Sequence, residues 1–162
     1  MKVLIGCETS GTVRDAFLRM GHDAWSCDIL PSDRPTNRHI QDDIRNVMND
    51  DWDLLAVMHP PCTRLCNSGV RWLHKAPPNR TLDEMWQELE EGAALFSDVW
   101  NVEHIPMVAV ENPVMHKHAK VRIKNYEPFA QSIQPWEFAE ADDSDDNVKK
   151  RTCLWLRNLP KL

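Results

Sequence analysis

Two runs of this chain, WDLLAVMHP at 52–60 and MVAVENP at 107–113, are apolar at almost every position instead of at every second one. A strand carries such a run only where both of its faces are covered, as they are inside a parallel sheet flanked by helices. The rest of the chain supplies matching parts. KVLIGCE at 2–8 reads as a first strand, TSG as a tight turn, and TVRDAFLRMG as a helix in which Val13, Ala16, Phe17 and Met20 recur at helical spacing before a C-terminal Gly21. DAWSCDIL reads as a second strand and RHIQDDI as the neighbourhood of a short third. Thr81 and Glu84 predict a capping box at the start of a long helix that buries Leu82, Met85, Trp86, Leu89, Ala93, Phe96 and Trp100. QSIQPW and RTCLWLRNL predict two last strands. Alternating strands and helices predict an α/β, Rossmann-like sheet, mostly parallel, with helices on both faces.

At 162 residues, 42% of them hydrophobic, the chain predicts one domain around one core. Glu8 interrupts the first apolar run before a signal peptide or membrane span forms, so the expectation is a soluble, cytoplasmic protein with no membrane partner. Five cysteines without paired spacing predict reduced thiols. The net charge of −6, much of it in EADDSDDN at 140–147, means that contact with nucleic acid has to come from local basic patches.

In such a fold ligands bind at the carboxyl ends of the strands. Glu8, Asp28, Asp42, Asp43, Cys62 and Glu111 all fall at or near those ends. Ionised groups there need solvent, a partner or a ligand, and a reading of these residues as core explains none of the carboxylates. Cys62 follows Pro60-Pro61, a stiff bend that would present a thiol to the crevice, with Arg64 as a nearby cation to favour thiolate. On spacing alone it reads equally well as a packed cysteine after a turn.

The stretch PPCTRLCNSG at 60–69, with Cys66 four and Gly69 seven positions after Cys62, resembles the nucleophile motif of the DNA cytosine-5 methyltransferases. ENP at Glu111-Asn112-Pro113 is similar to the next hallmark of that family, and Gly11, Asp28 and Asp43-Ile44 precede both in the right order. HPPCT and KKRTCLWLRNLP look like the small cytosine-methylase-like proteins often carried by phages and prophages, which would place the protein in a host cytoplasm. The resemblance implies a methyltransferase fold, S-adenosyl-L-methionine as cofactor, and catalytic roles for Cys62, Glu111, Asn112 and Arg151. It also implies a cofactor pocket built by Glu8, Gly11, Asp28, Ile29, Asp43, Ile44 and Pro60. Asp28 would accept from the ribose hydroxyls, where the plainer alternative is an exposed strand-end carboxylate; for Asp43 the alternative is a helix cap.

The chain departs from the family in three places. The glycine turn reads IGCETSGT instead of Phe-x-Gly-x-Gly-Gly, the Gln-x-Arg-x-Arg motif is echoed only by VKKRT with Lys150 or Arg151, and no returning segment or target-recognition domain is evident. The substrate is therefore expected to be DNA or a free pyrimidine nucleotide, with a homodimer or a separate DNA-reading partner as further expectations. The loop 63–80, carrying Arg64, Arg71, Trp72, His74, Lys75 and Arg80, and the stretch HKHAKVRIK at 116–124 are basic, and Arg64, Arg71, Trp72 and Lys150 are the expected substrate contacts. The alternative from another class is a non-catalytic methylase-like binder that interferes with host DNA enzymes. No metal is expected: His59, Cys62, Cys66, His116 and His118 allow a zinc site to be drawn, but Cys-x-x-x-Cys is not a knuckle spacing and no second pair exists.

Overall fold

The computed structural model describes residues 1–139 and 147–162, so the acidic run falls outside the described residues except for its last member, Asn147. Seven strands form one sheet: β1 Lys2–Gly6, β2 Asp23–Asp28, β3 His39–Gln41, β4 Leu54–Val57, β5 Met107–Pro113, β6 Gln131–Ile133 and β7 Thr152–Arg157, in the order β3-β2-β1-β4-β5-β7-β6. The first five pair in parallel, as their apolar sequences require. β7 runs antiparallel to both of its neighbours, β5 and β6. The sheet is thus mixed, mostly parallel and Rossmann-like, and its strand order reverses at the junction of β1 and β4, where such sheets open a crevice.

Alternation along the strands sends side chains to two cores. Val3, Ile5, Ala24 and Leu54 pack under Val13, Phe17 and Leu18 of α1, Thr12–Arg19. Leu4, Cys27, Leu55, Val57, Val108, Val110 and Trp155 face the other way, toward α2, Ile44–Val47, and α3, Leu82–Trp100. The capping box of α3 forms as predicted, and Met85, Leu89, Ala93, Phe96 and Trp100 are buried; Trp86 is partly buried. Two residues predicted to be buried are not. Leu82 is 43% exposed at the first turn of α3, and Met20 is 63% exposed because α1 ends at Arg19. The buried residue of α1 is Arg14, which curls under the turn, donates to Ser26 Oγ at 3.0 Å and pairs with Asp15 at 2.8 Å.

Helix coverage is uneven. α4, Lys117–Lys120, packs on α3, so among the described residues the α1 side carries α1 as its one α-helix, seated on β1 and β2. Along β5, Val108, Val110 and Asn112 are buried against the α3 side, while Met107, Ala109, Glu111 and Pro113 on the opposite side are only half-buried. No helix among the described residues is long and apolar enough to cross a membrane.

Candidate functional site

The turn after β1 is held together by a carboxylate. Glu8 is 1% exposed and accepts from the backbone N–H of Val13 at 2.7 Å and of Arg14 at 3.3 Å, with Ser10 Oγ at 3.4 Å. It neutralises the free amides at the start of α1, where the N-cap position is Gly11 and offers no side chain. Gly11 has φ 71, and a Cβ there would lie 2.1 Å from Arg14 Nη2, so only glycine fits. Glu8 and Gly11 therefore build the turn and do not line the adjoining cavity.

That cavity, about 560 Å3, opens across the carboxyl ends of the parallel strands. Asp28, Ile29, Asp43 and Ile44 line it, as does Pro61; Pro60 is buried behind the bend. Asp28 spends one oxygen on the N–H of Leu30 at 3.0 Å, and its other oxygen makes no hydrogen bond among the described residues. Asp43 caps α2, accepting from Arg45 N at 2.9 Å, and the bonded Arg45 guanidinium holds its carboxyl below the usual range. Asp43 is thus the helix cap that its position allowed, with its carboxylate already engaged. Cys7, with φ 56, and Cys27 add two thiols to the lining, and burial pushes both up to about 12, so both are neutral.

Beyond β4 the chain turns sharply through Cys62, whose carbonyl accepts from Leu65 N at 2.9 Å and Cys66 N at 3.0 Å. Gly69 closes the turn; a Cβ there would lie 1.7 Å from the Thr63 carbonyl oxygen. Gly92 on α3 lets the Pro61 carbonyl come within 3.3 Å of where a Cβ would be. The loop is stitched to the segment after β5 by Asn67 N donating to Val114 O and His116 N donating to Leu65 O, both at 3.0 Å. Cys66 is 6% exposed with its sulfur 3.1 Å from Ser68 Oγ, whereas Cys62 is half-exposed. The two cysteines of the loop have therefore parted: one packs, the other faces out.

Cys62, Glu111 and Lys150 share one electrostatic field. Burial pushes the Glu111 carboxyl up to about 7, against the opposing charge of Lys150. Burial raises the Cys62 thiol, and Cys66 and Glu111 raise it further, while Lys150 favours the thiolate. Lys150, predicted as a substrate contact, is thus the cation of this centre. Arg151, predicted as catalytic, lies instead over the Phe129 ring at 5.7 Å and its charge reaches Cys153. Asn112, also predicted as catalytic, is on the opposite side of β5 from Glu111, fully buried beside its register partner Cys153, with neither amide atom hydrogen-bonded.

Arg64, read from the sequence as a substrate contact, donates to Glu88 of α3 at 2.6 Å. Arg80 pairs with the same carboxylate, so Glu88 ties both ends of the 63–80 loop to one helix. Arg71 and Trp72 stay near the surface, the guanidinium 4.4 Å over the indole. Sequence reasoning weighed a zinc site and a basic stretch here and missed the anchoring role of His116. It is 5% exposed and its Nδ1 accepts from Ala119 N at 3.1 Å, so its Nε2 carries the proton and donates to Arg64 O at 2.6 Å. It also missed the clamping role of Glu88; neither residue belongs to a local motif, because each acts on a segment distant in sequence. Among the described residues no three His, Cys, Asp or Glu side chains are grouped to hold a metal ion.

No protein-family model matches the chain, and no curated protein matches it.

Proposed function

We propose that this chain is an S-adenosyl-L-methionine-dependent cytosine C5 methyltransferase-like enzyme acting on DNA, with Cys62 as nucleophile and Glu111 as the group that engages N3. The observation that carries this reading is the meeting of Cys62, Glu111 and Lys150 in one field at the carboxyl edge of a doubly wound sheet.

Cytosine C5 is a poor nucleophile. When the Cys62 sulfur bonds to C6, the ring electrons move toward N3, and a proton delivered there leaves C5 as an enamine-like carbon. Glu111, at about 7, is half protonated near neutral pH and suits that delivery. Lys150 offsets part of what burial takes from the thiolate. Once C5 carries the methyl group, loss of its proton to solvent, expulsion of the sulfur as thiolate and return of the N3 proton to Glu111 restore the ring and the enzyme.

The cavity fits the cofactor in size, charge and lining. Small-molecule sites occupy about 300–1,000 Å3. Asp28 has an oxygen left for a ribose hydroxyl, and Ile29, Ile44 and Leu95 offer an apolar wall for adenine. The carboxylates Asp28, Asp42, Asp43, Glu88 and Glu91 outnumber the guanidiniums Arg45 and Arg64 around it, which suits a cationic sulfonium. Bound there, S-adenosyl-L-methionine would supply the electrophilic methyl group.

The test is covalent trapping with 5-fluorocytosine, whose fluorine cannot leave as a proton. Wild type and Cys66→Ser are expected to form an adduct with fluorinated DNA in the presence of cofactor, and Cys62→Ser none. An adduct with the free fluorinated nucleotide alone would move the substrate to the nucleotide pool. No adduct with either would overturn the mechanism and leave a non-catalytic methylase-like protein.

A further inference from the structure

The two basic stretches, some forty residues apart in sequence, meet in space on the α3 side of the molecule. His74, which follows the 3-10 turn Val70–Leu73, lies 6.1 Å from His118 of α4, ring to ring, and His118 lies edge-on to Trp86 of α3 at 5.5 Å. Arg122 covers the Trp86 ring at 5.0 Å. The result is a layer of imidazole, indole and guanidinium planes bordered by Arg71, Lys75 and Lys117. Those three cations are exposed and pair with no carboxylate among the described residues. Arg122 is already matched by Glu90. Burial lowers the proton affinity of His118, and the cations Lys117 and Arg122 beside it lower it further. The chain as a whole carries a net charge of −6.

We propose that this face binds single-stranded DNA and leads it to Cys62. Phosphates are matched by Arg71, Lys75 and Lys117, and bases by the ring layer around His74 and His118. An acidic protein would use the cations but has no need of the rings. A duplex hides its base faces inside its own stack, so only an unpaired strand uses both features. The path to the reacting centre is short: His116 contacts His118 ring to ring at 5.7 Å and donates to Arg64 O, two residues from Cys62. A cytosine that is to accept a thiolate must leave its stack in any case, and a strand with no partner does so at least cost.

This inference rests on the proposed cytosine chemistry only for the choice of DNA and for the strand's destination; the binding surface is tested without cofactor and without turnover. Fluorescence anisotropy with a labelled mixed-sequence single-stranded oligodeoxynucleotide, its duplex and the RNA of the same sequence reads it directly. Wild type is expected to bind the single strand at least ~10-fold tighter than the duplex, with affinity falling as salt rises. Lys75→Glu/Lys117→Glu is expected to weaken binding by roughly 10- to 100-fold and to flatten the salt dependence, since each lost phosphate contact removes about 0.7 from the logarithmic slope for a single strand. His74→Ala is expected to weaken it about 5-fold or more with the slope unchanged, because stacking carries no counterion release. Both variants alter exposed side chains, and melting curves equal to wild type would verify their fold.

Equal or tighter binding of the duplex, tighter binding of RNA, or affinity unchanged in the double variant would overturn the proposal. Failure of the two readings looks different. Single-strand binding without any fluorocytosine adduct sinks the catalytic mechanism alone; an adduct on free nucleotide with no oligonucleotide binding sinks this surface alone.

Discussion

Glu111 keeps its proton near neutrality because burial on β5 outweighs the charge of Lys150. The folded protein holds this proton more tightly than the unfolded chain, whose carboxyl titrates at the ordinary 4.5. Glu111 therefore contributes its full stability below pH 4.5 and loses it as pH rises toward about 7. After allowance for solvent screening of a half-buried group the loss is on the order of 1–2 kcal/mol. Thermal melts of wild type and Glu111→Gln across this range are expected to diverge, wild type being the one that weakens with pH. In the trapping reaction, Glu111→Gln is expected to form the adduct slower by about 10²–10⁴, since an amide hydrogen-bonds N3 but delivers no proton. The wild-type rate is expected to be bell-shaped in pH, rising as the Cys62 thiol ionises and falling as Glu111 does; a flat profile would remove Glu111 from the proton step. Among single residues, the positions of Cys62, Glu111 and Asp28 at or beyond strand ends were legible in the sequence, because motif and strand end coincide there. Glu8, Arg64 and Asn112 have structural placements that the sequence did not show, for one shared reason. The identity of a side chain does not say whether a helix terminus, a partner carboxylate or the other side of a strand has already claimed it.

The loop between β4 and α3 is rigid for reasons that belong to three elements at once. Gly69 faces the Thr63 carbonyl so closely that a methyl group would force the backbone open, and no rotamer relieves a backbone clash. Gly69→Ala is expected to cost about 1–3 kcal/mol. A melting temperature lower by roughly 2–4 °C per kcal/mol, with trapping slowed, is the expected readout. Glu88→Gln acts in another way. Its pair with Arg80 lies near the surface and contributes about 0–1 kcal/mol, and the amide still accepts from the largely buried Arg64, so the melting temperature should fall only slightly. Faster hydrogen exchange across 63–80 is expected, because Arg64 and Arg80 lose their common tether; unchanged exchange would show that the stitching to 114–116 suffices. At this scale the sequence was informative wherever the signal is local. The Thr81–Glu84 box and the stripe on α3 were readable from spacing, whereas the direction of β7 was not, because apolar alternation is the same whichever way a strand runs.

For the molecule as a whole, the sheet exists because the apolar runs of β1, β4 and β5 have no other way to hide, and that much was legible. The strand order was not, since it depends on where each connection returns. Trp155 of β7 joins the two halves of the larger core: 1% exposed, it meets Phe96 of α3 edge-on at 5.2 Å, contacts Tyr126 and Phe129, and donates to Glu127 O at 2.7 Å. Trp155→Ala is expected to cost about 3–5 kcal/mol, a large share of the 5–15 kcal/mol that holds an ordinary domain folded. Chemical denaturation checks this, and a midpoint close to wild type would mean that β7 is peripheral. The place of β7 also sets an order of assembly. β6 has β7 as its neighbour in the sheet, yet β7 comes later in the chain, so a nascent polypeptide that ends before residue 150 holds β5 and β6 apart with an open slot between them. The segment that fills the slot brings Lys150 with it. A ribosome thus makes the loop around Cys62 well before the lysine whose charge favours its thiolate.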